Sequence, residues 1–278
     1  MKKITAVVKI IRPVNFIIVL FAVIISSVVC IKTDYSPAVI IIASLSAGFA
    51  AAAGNVINDI FDIEIDKLNR PSRPLPSKII SGKEAAVLYS VLVFLSLYLG
   101  YLVNNTALII TLIADAVLFV YSFKLKTVPL LGNTVIASLT GLAFLYGGVA
   151  VNNINYAFVP AVFAFLINFI REIVKDMEDI KGDIANNIRT FPVLKGYRSS
   201  KNLVLTLGII LIAATVYPYA VKLYKIEYFI IVMISVNPLL IYSMKKLFKD
   251  HSDKSLNKVS KLLKLNMILG LTAIYLGK

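Results

Sequence analysis

The sequence predicts an all-α, polytopic membrane protein of about nine spanning helices, and three observations carry that expectation. Apolar runs long enough to cross a bilayer as a helix, about 20 residues each, recur from end to end of the chain. The 278 residues are 59% hydrophobic with a mean hydropathy of +0.84, well above a soluble domain. The Lys and Arg residues gather in alternate connections and leave the others short and almost uncharged.

Taken in order, the first element is a basic segment, Met1 to Arg12, running into an apolar stretch from Val14 to Ile31. That stretch is too long for a secretory signal core, and no small-x-small cleavage pattern follows it, so it is expected to stay as the first span, 14–31. The remaining spans are expected at 38–60, 84–103, 107–123, 130–150, 157–175, 203–221, 226–244 and 262–277. With the amino terminus in the cytoplasm, the connections on that side hold all of the 29 Lys and Arg residues except Lys32, Lys222, Lys225 and Lys278. This bias fixes the orientation in a cell membrane and supports the span count, because one missed span would scramble the alternation. Residues 1–278 leave little room for a separate soluble domain, so one integral membrane domain is expected. The net charge of +14 is then the charge of cytoplasmic loops rather than the mark of a nucleic-acid partner. Cys30 and His251 are each the only residue of their type, which excludes an intrachain disulfide and argues against a His/Cys metal site.

The functional signal is a pair of acidic runs. Asn58-Asp-Ile-Phe-Asp-Ile-Glu-Ile-Asp66 closes the second span, and Asp176-Met-Glu-Asp-Ile-Lys-Gly-Asp183 closes the sixth. Asp59, Asp62 and Asp66 repeat the spacing of Asp176, Asp179 and Asp183 with a constant offset of 117 residues. At spacings of three and four, each triplet is expected to form one stripe along a helix face. The two runs, together with Glu172 just ahead of the second, hold nine of the 15 acidic residues, a crowding that repels itself unless a cation intervenes. Oxygen-only ligands point to Mg²⁺ holding a phosphate-bearing substrate, with the carboxylates of Asp59, Asp62, Asp66, Asp176, Asp179 and Asp183 as the metal-binding set. The runs lie four spans apart and therefore on the same side. Arg73-Pro-Leu-Pro76 and Arg189-Thr-Phe-Pro192 follow them at similar distances, so two pseudo-repeated halves with a site between them are expected.

The plain alternative for an acidic run is a solvated helix end, which does not account for two runs of one spacing on one side of a membrane. Transport of a cation is the second alternative; it places acidic groups near the bilayer midplane, whereas these runs close their spans. Lys67, Arg70, Arg73, Lys126, Lys175 and Arg189 surround the runs and either bind a diphosphate or an anionic acceptor, or are positive-inside charge. Lys126 stands out because Tyr121-Ser-Phe-Lys-Leu-Lys126 closes the fourth span on the same side. Asp115, inside that span, is either functional or a paired structural group. Gly141, Gly147 and Gly148 are read as helix-packing residues.

At these residues the sequence resembles the UbiA superfamily of intramembrane prenyltransferases. Asn58, Asp62 and Asp66 match its first motif, N-x-x-x-D-x-x-x-D, with Asp59 in the common N-D form; Lys175 to Asp183 and Arg189 to Pro192 match the second. Tyr121 to Lys126, followed by Gly132-Asn133, resembles the family's fourth-span segment. Members acting on hydroxybenzoate carry D-x-x-Y where this chain reads Glu172-Ile-Val-Lys175, so their acceptor does not carry over; the K-D-x-x-D-x-x-x-D form is more similar to the branch that includes archaeal lipid enzymes. The resemblance implies Mg²⁺-dependent transfer of a geranylgeranyl group from its diphosphate to the free secondary hydroxyl of geranylgeranylglyceryl phosphate, a lipid acceptor. It implies catalytic roles for Asp62, Asp66, Asp179 and Asp183, adds Asn58 to the metal-binding set, and implies substrate contacts for Arg70, Tyr121, Lys126, Lys175 and Arg189. The proton of the acceptor hydroxyl goes to a carboxylate of the site or to the departing diphosphate. An aromatic quinone precursor or haem as acceptor is the rival within the same chemistry. A CDP-alcohol phosphotransferase is set aside because Asp62 is followed by Ile-Glu rather than by that family's D-G-x-x-A-R.

Overall fold

In hydrocarbon every backbone polar group must find its partner within the protein, which for a chain of long apolar runs leaves only helices. The computed structural model describes residues 2–32, 35–186 and 188–278, and its regular elements are all helical. They are α1 Lys2–Ile11, α2 Pro13–Cys30, α3 Pro37–Phe61, α4 Ile63–Asn69, α5 Gly82–Val103, α6 Asn105–Phe123 and α7 Leu131–Ala150. The remainder are α8 Phe158–Ala185, α9 Phe191–Ala220, α10 Ile226–Ile231, α11 Asn237–Lys249 and α12 Asp253–Leu276. Among the described residues nine helices are long and apolar enough to cross a membrane, α10 and α11 counting as one through the π turn Val232–Val236. Pro238 lacks the N–H that a regular turn needs there, and the helix widens just ahead of it.

The early spans agree with the expected ones to within a few residues. Later helices outrun them: α8 continues past 175 to Ala185, α9 begins at Phe191 with a break at Gly196, and α12 begins at Asp253. Those extensions are polar yet still helical, so hydropathy marks only the part that lipid can cover. The basic amino terminus is itself a short helix, α1, separated from α2 by Arg12 in a left-handed conformation (φ 56°).

The chain divides into two compact units, Met1–Lys126 with Ala143–Asn155, and Thr127–Leu142 with Tyr156–Lys278. In the first, α3 packs against α2, α5 and α6. Its small residues, among them Ala43, Ala52 and Ala53, are buried and let the neighbouring backbones close in. Gly147 meets α2 so closely that a Cβ there would lie 2.7 Å from the carbonyl oxygen of Val23. In the second unit α8 packs on α9 and α12, and its Ile170, Ile173, Val174 and Met177 share one buried cluster with Val204 and Leu211 of α9, Leu240 and Leu247 of α11, and Leu256, Val259 and Leu263 of α12. Gly141 faces the carbonyl of Ala161 in the same way, so both glycines serve helix packing as expected.

Asp115 lies inside the first unit, buried at 6% exposure, within a set of hydroxyl groups. Tyr146 donates to Ser46 (2.9 Å), and Ser46 donates to the carbonyl of Ser96 (2.8 Å). Ser96 Oγ stands 2.7 Å from Asp115 Oδ2 and 2.8 Å from the carbonyl oxygen of Val93. Ser96 has one proton and a carbonyl only accepts. Both short contacts are hydrogen bonds only if the proton between Ser96 and Asp115 belongs to Asp115. A neutral acid also suits Oδ1, which is buried without a partner. Asp115 is thus a structural link between α5 and α6. Asp115→Asn, which offers an N–H in place of the acid O–H, is expected to stay within about 1 kcal/mol of the parent. Asp115→Ala is expected to lose roughly 1–3 kcal/mol. Thermal unfolding in detergent checks both, and a large loss in Asp115→Asn would mean an ionised carboxylate.

Candidate functional site

In the first unit the acidic run straddles the junction of α3 and α4. Asp62 is the junction residue, with φ −93° and ψ 4°, although hydrogen bonds from Asp62 N to Asn58 O (3.0 Å) and from Asp66 N to Asp62 O (2.8 Å) carry the turns across it. The expected single stripe of three carboxylates therefore splits in two. Asp59 and Asp66, each 5% exposed, turn to arginines: Arg73 reaches both, at 3.4 Å from Asp59 and in direct contact with Asp66, and Arg12 donates to Asp59 at 2.5 Å. Asp62 turns instead to Asn58, whose side-chain amide donates at 2.8 Å, and to Lys126, whose ammonium contacts its other oxygen.

Local sequence explains this division. Arg73 opens the Arg-Pro-Leu-Pro segment, whose Leu75 is buried together with Ile80 against Ala6, Ile10 and Val56. That burial pins the loop under the end of α3. Arg12 is fixed by the corner between α1 and α2, where Asn55 donates to the carbonyl of Ile11 at 3.0 Å. Arg73, expected as a candidate anion ligand, is held by two buried carboxylates. Lys67 pairs with Glu64 (2.7 Å) at the surface, as positive-inside charge would. Arg70 is exposed and Tyr121 half-buried in this unit.

In the second unit the run lies on one unbroken helix, α8, opposite the apolar face that is buried with α9 and α12. Asn133 of α7 donates to Asp176 (2.7 Å), Thr190 donates to Asp183 (3.0 Å), and Asp179 is exposed. Lys175 and Arg171 donate to the two oxygens of buried Glu172, at 2.8 and 2.9 Å. Arg189 is exposed. The sequence reading gave no partner role to Arg12, Asn133 or Thr190. Thr190 was findable, since it stands within the second motif seven residues from its partner, whereas Arg12 and Asn133 reach theirs across 47 and 43 residues.

The donor set tests whether Mg²⁺ fits. Among the described residues no three Asp, Glu, His or Cys side chains group closely enough to cage an ion. Mg²⁺ does not ask for such a cage: one or two carboxylates, waters and substrate phosphates complete its octahedron. Asp62 with the amide oxygen of Asn58 in the first unit, and Asp179 with Asp183 in the second, are such oxygen-only sets. A cation, Lys126, already lies on Asp62, so the site is built to hold positive charge there.

Comparison with known proteins gives the same picture. The model of the UbiA prenyltransferase family matches residues 17–268. The digeranylgeranylglyceryl phosphate synthase of Methanosphaera stadtmanae is 33% identical over 97% of this chain and 98% of its own. A solved structure concerned with digeranylgeranylglyceryl phosphate synthase superposes with a TM-score of 0.78 at 36% identity, covering 100% of this chain and 99% of that one. A UbiA homologue from Archaeoglobus fulgidus, solved with DMAPP and Mg²⁺ bound, shares the fold at a TM-score of 0.66 and 20% identity, covering 96% of this chain and 98% of that one. This is a multi-pass membrane protein, and it belongs to the UbiA prenyltransferase family.

Proposed function

We propose that this chain transfers a geranylgeranyl group from geranylgeranyl diphosphate to the sn-2 hydroxyl of 3-O-geranylgeranylglyceryl phosphate, releasing diphosphate, with residues 1–278 as one catalytic domain. The whole-length match to relatives named for that activity carries the reading. The chemistry rests on the group of Asn58, Asp62 and Lys126 in the first unit and of Asp179 and Asp183 in the second.

Asn58, Asp62, Asp66, Asp179 and Asp183 are the proposed holders of Mg²⁺, with Asp59 and Asp176 in support. Bound beside a diphosphate, Mg²⁺ supplies positive charge to oxygens that become more negative as the allylic carbon–oxygen bond breaks. Lys126 is placed to move from Asp62 to a diphosphate oxygen, one cation exchanging partners with another. Arg70 and Tyr121 stand in the same unit as further diphosphate contacts, and Lys175 and Arg189 are their counterparts in the second unit. Arg12 and Arg73 hold Asp59 and Asp66 in place and so keep the end of α3 in register with its loop. The allylic cation left behind is captured by the acceptor oxygen, which requires a site that keeps water out. The positive-inside pattern supports placing the amino terminus and both acidic runs on the cytoplasmic side of the cell membrane.

Purified protein in detergent, given geranylgeranyl diphosphate, Mg²⁺ and a panel of lipid and aromatic acceptors, is expected to yield digeranylgeranylglyceryl phosphate by mass spectrometry, and to stop with EDTA. A prenylated aromatic as the main product would replace the acceptor and keep the chemistry. Asp62→Ala and Asp183→Ala are expected to lower turnover by about 10³-fold or more while the unfolding midpoint holds; near-normal turnover in either sinks the metal assignment. Arg73→Ala is expected to act on the fold instead, because it leaves two buried carboxylates short of a partner at a cost of about 3–5 kcal/mol. Thermal unfolding separates the two effects.

A further inference from the structure

One buried hydroxyl stands beside the acidic run of the first unit and has no part in the chemistry above. Ser122, in the last turn of α6, is 1% exposed, and among the described residues its Oγ has no hydrogen-bond partner. A helical serine or threonine can give its proton to the carbonyl one turn back. This chain does so at Ser90, Thr134, Thr140 and Ser243. Ser122 does not do so with Leu118, so a hydroxyl is kept buried at a cost of about 1–3 kcal/mol that an alanine would avoid.

Helix register says what lies level with it. Thr111 Oγ1 is 3.4 Å from Ser46 Oγ, a Cβ on Gly54 would meet Leu118 at 2.9 Å, and the ammonium of Lys126 contacts Asp62. Those pairs are 65, 64 and 64 residues apart, so α3 and α6 run side by side in one register. Ser122 stands four residues after Leu118 and four before Lys126; Asn58 stands four after Gly54 and four before Asp62. The serine is therefore level with Asn58. Helix α5 packs on both α3 and α6 and closes the seam between them, which accounts for the burial of Ser122.

A carboxylate only accepts, so the end of the Asn58 amide that meets Asp62 at 2.8 Å is its NH₂. That is the wrong end for a metal ion, which binds the amide oxygen. Holding one ion with both Asn58 and Asp62 requires the amide to turn over, and its NH₂ then leaves Asp62. An NH₂ turned into the helix seam without an acceptor would oppose the movement. We propose that Ser122 is a positioning residue for the metal site: its hydroxyl oxygen accepts the Asn58 amide N–H when the amide oxygen turns to a bound cation. One movement then gives a partner both to the displaced amide and to the hydroxyl that had none. The role rests on the reading of Asn58 and Asp62 as holders of Mg²⁺, and it adds what sets the direction of the amide.

The test needs neither acceptor nor turnover. In the purified full-length protein the rise in unfolding midpoint is followed as Mg²⁺ is titrated in the presence of inorganic diphosphate. Without metal, Ser122→Ala is expected to unfold at the parent's temperature or slightly above it. It is expected to need roughly tenfold more Mg²⁺ for the same rise, a difference of about 1.4 kcal/mol. On an Asn58→Ala background the same substitution is expected to add nothing, because its effect runs through the amide. In turnover, the Mg²⁺ concentration for half-maximal rate shifts by the same factor, with KM for the lipid acceptor unmoved. An unchanged Mg²⁺ requirement in Ser122→Ala, a tenfold loss that persists without the Asn58 amide, or a lowered midpoint in the metal-free variant overturns the role of Ser122 and leaves the metal site standing. A parent protein whose midpoint does not respond to Mg²⁺ with diphosphate overturns the metal assignment, and the role with it.

Discussion

Carboxylates at the edge of a membrane must be neutralised, and the way this chain does so organises the rest of the first unit. Asp59, in the last turn of α3, and Asp66, on α4, are both buried. An uncompensated charge there is far too costly to keep. Arg12 answers from the corner before α2, and Arg73 from the loop before α5. Three stretches of chain that are distant in sequence are tied to one point by this requirement. The turn from α3 into α4, the buried Leu75 and the docking of α1 all belong to the same solution.

The second unit solves a related problem on a single helix. One face of α8 is apolar and is buried with α9 and α12, so the opposite face is free to carry charge without breaking the core. There Asp176 and Asp183 are met by uncharged donors, Asn133 and Thr190, rather than by arginines. Two runs of identical spacing thus sit in different surroundings. In the first, cations hold two acids and leave one with a lysine. In the second, neutral hydrogen bonds orient Asp176 and Asp183, and Asp179 faces outward.

Much of this was legible in the residues. Apolar length and alternating charge gave the helical spans, because lipid leaves a long apolar run no other structure. The spacing of Asp59, Asp62 and Asp66 gave the motif, and Lys126 stood out because it closes a span on the same side. Other features lacked any local mark. Nothing in Asp-Ile-Phe-Asp-Ile-Glu breaks a helix, so the junction at Asp62, flanked by the ion pairs of Arg73 and Lys126, has no Gly or Pro to announce it. The polar ends of α8, α9 and α12 fall outside an apolar window although they are helical. Arg12 and Asn133 find their partners through the fold alone. Pairing is the least local property of a charged residue, and sequence spacing speaks to it least.

The contrast between Asp62 and its neighbours carries one step further. Arg73 bridges two carboxylates and is anchored by the loop that bears it, so displacing it would expose two buried charges at once. Lys126 makes one ion pair, from a flexible stem, to an acid that also has Asn58. An ammonium is a compact point charge with rotatable donors, and a second cation arriving at Asp62 can take its place without leaving that acid unpaired. The released lysine then has a negative partner only if the arriving cation brings one. Under the proposed transfer reaction, a metal ion arriving with its diphosphate would supply that partner, and a bare metal ion would not.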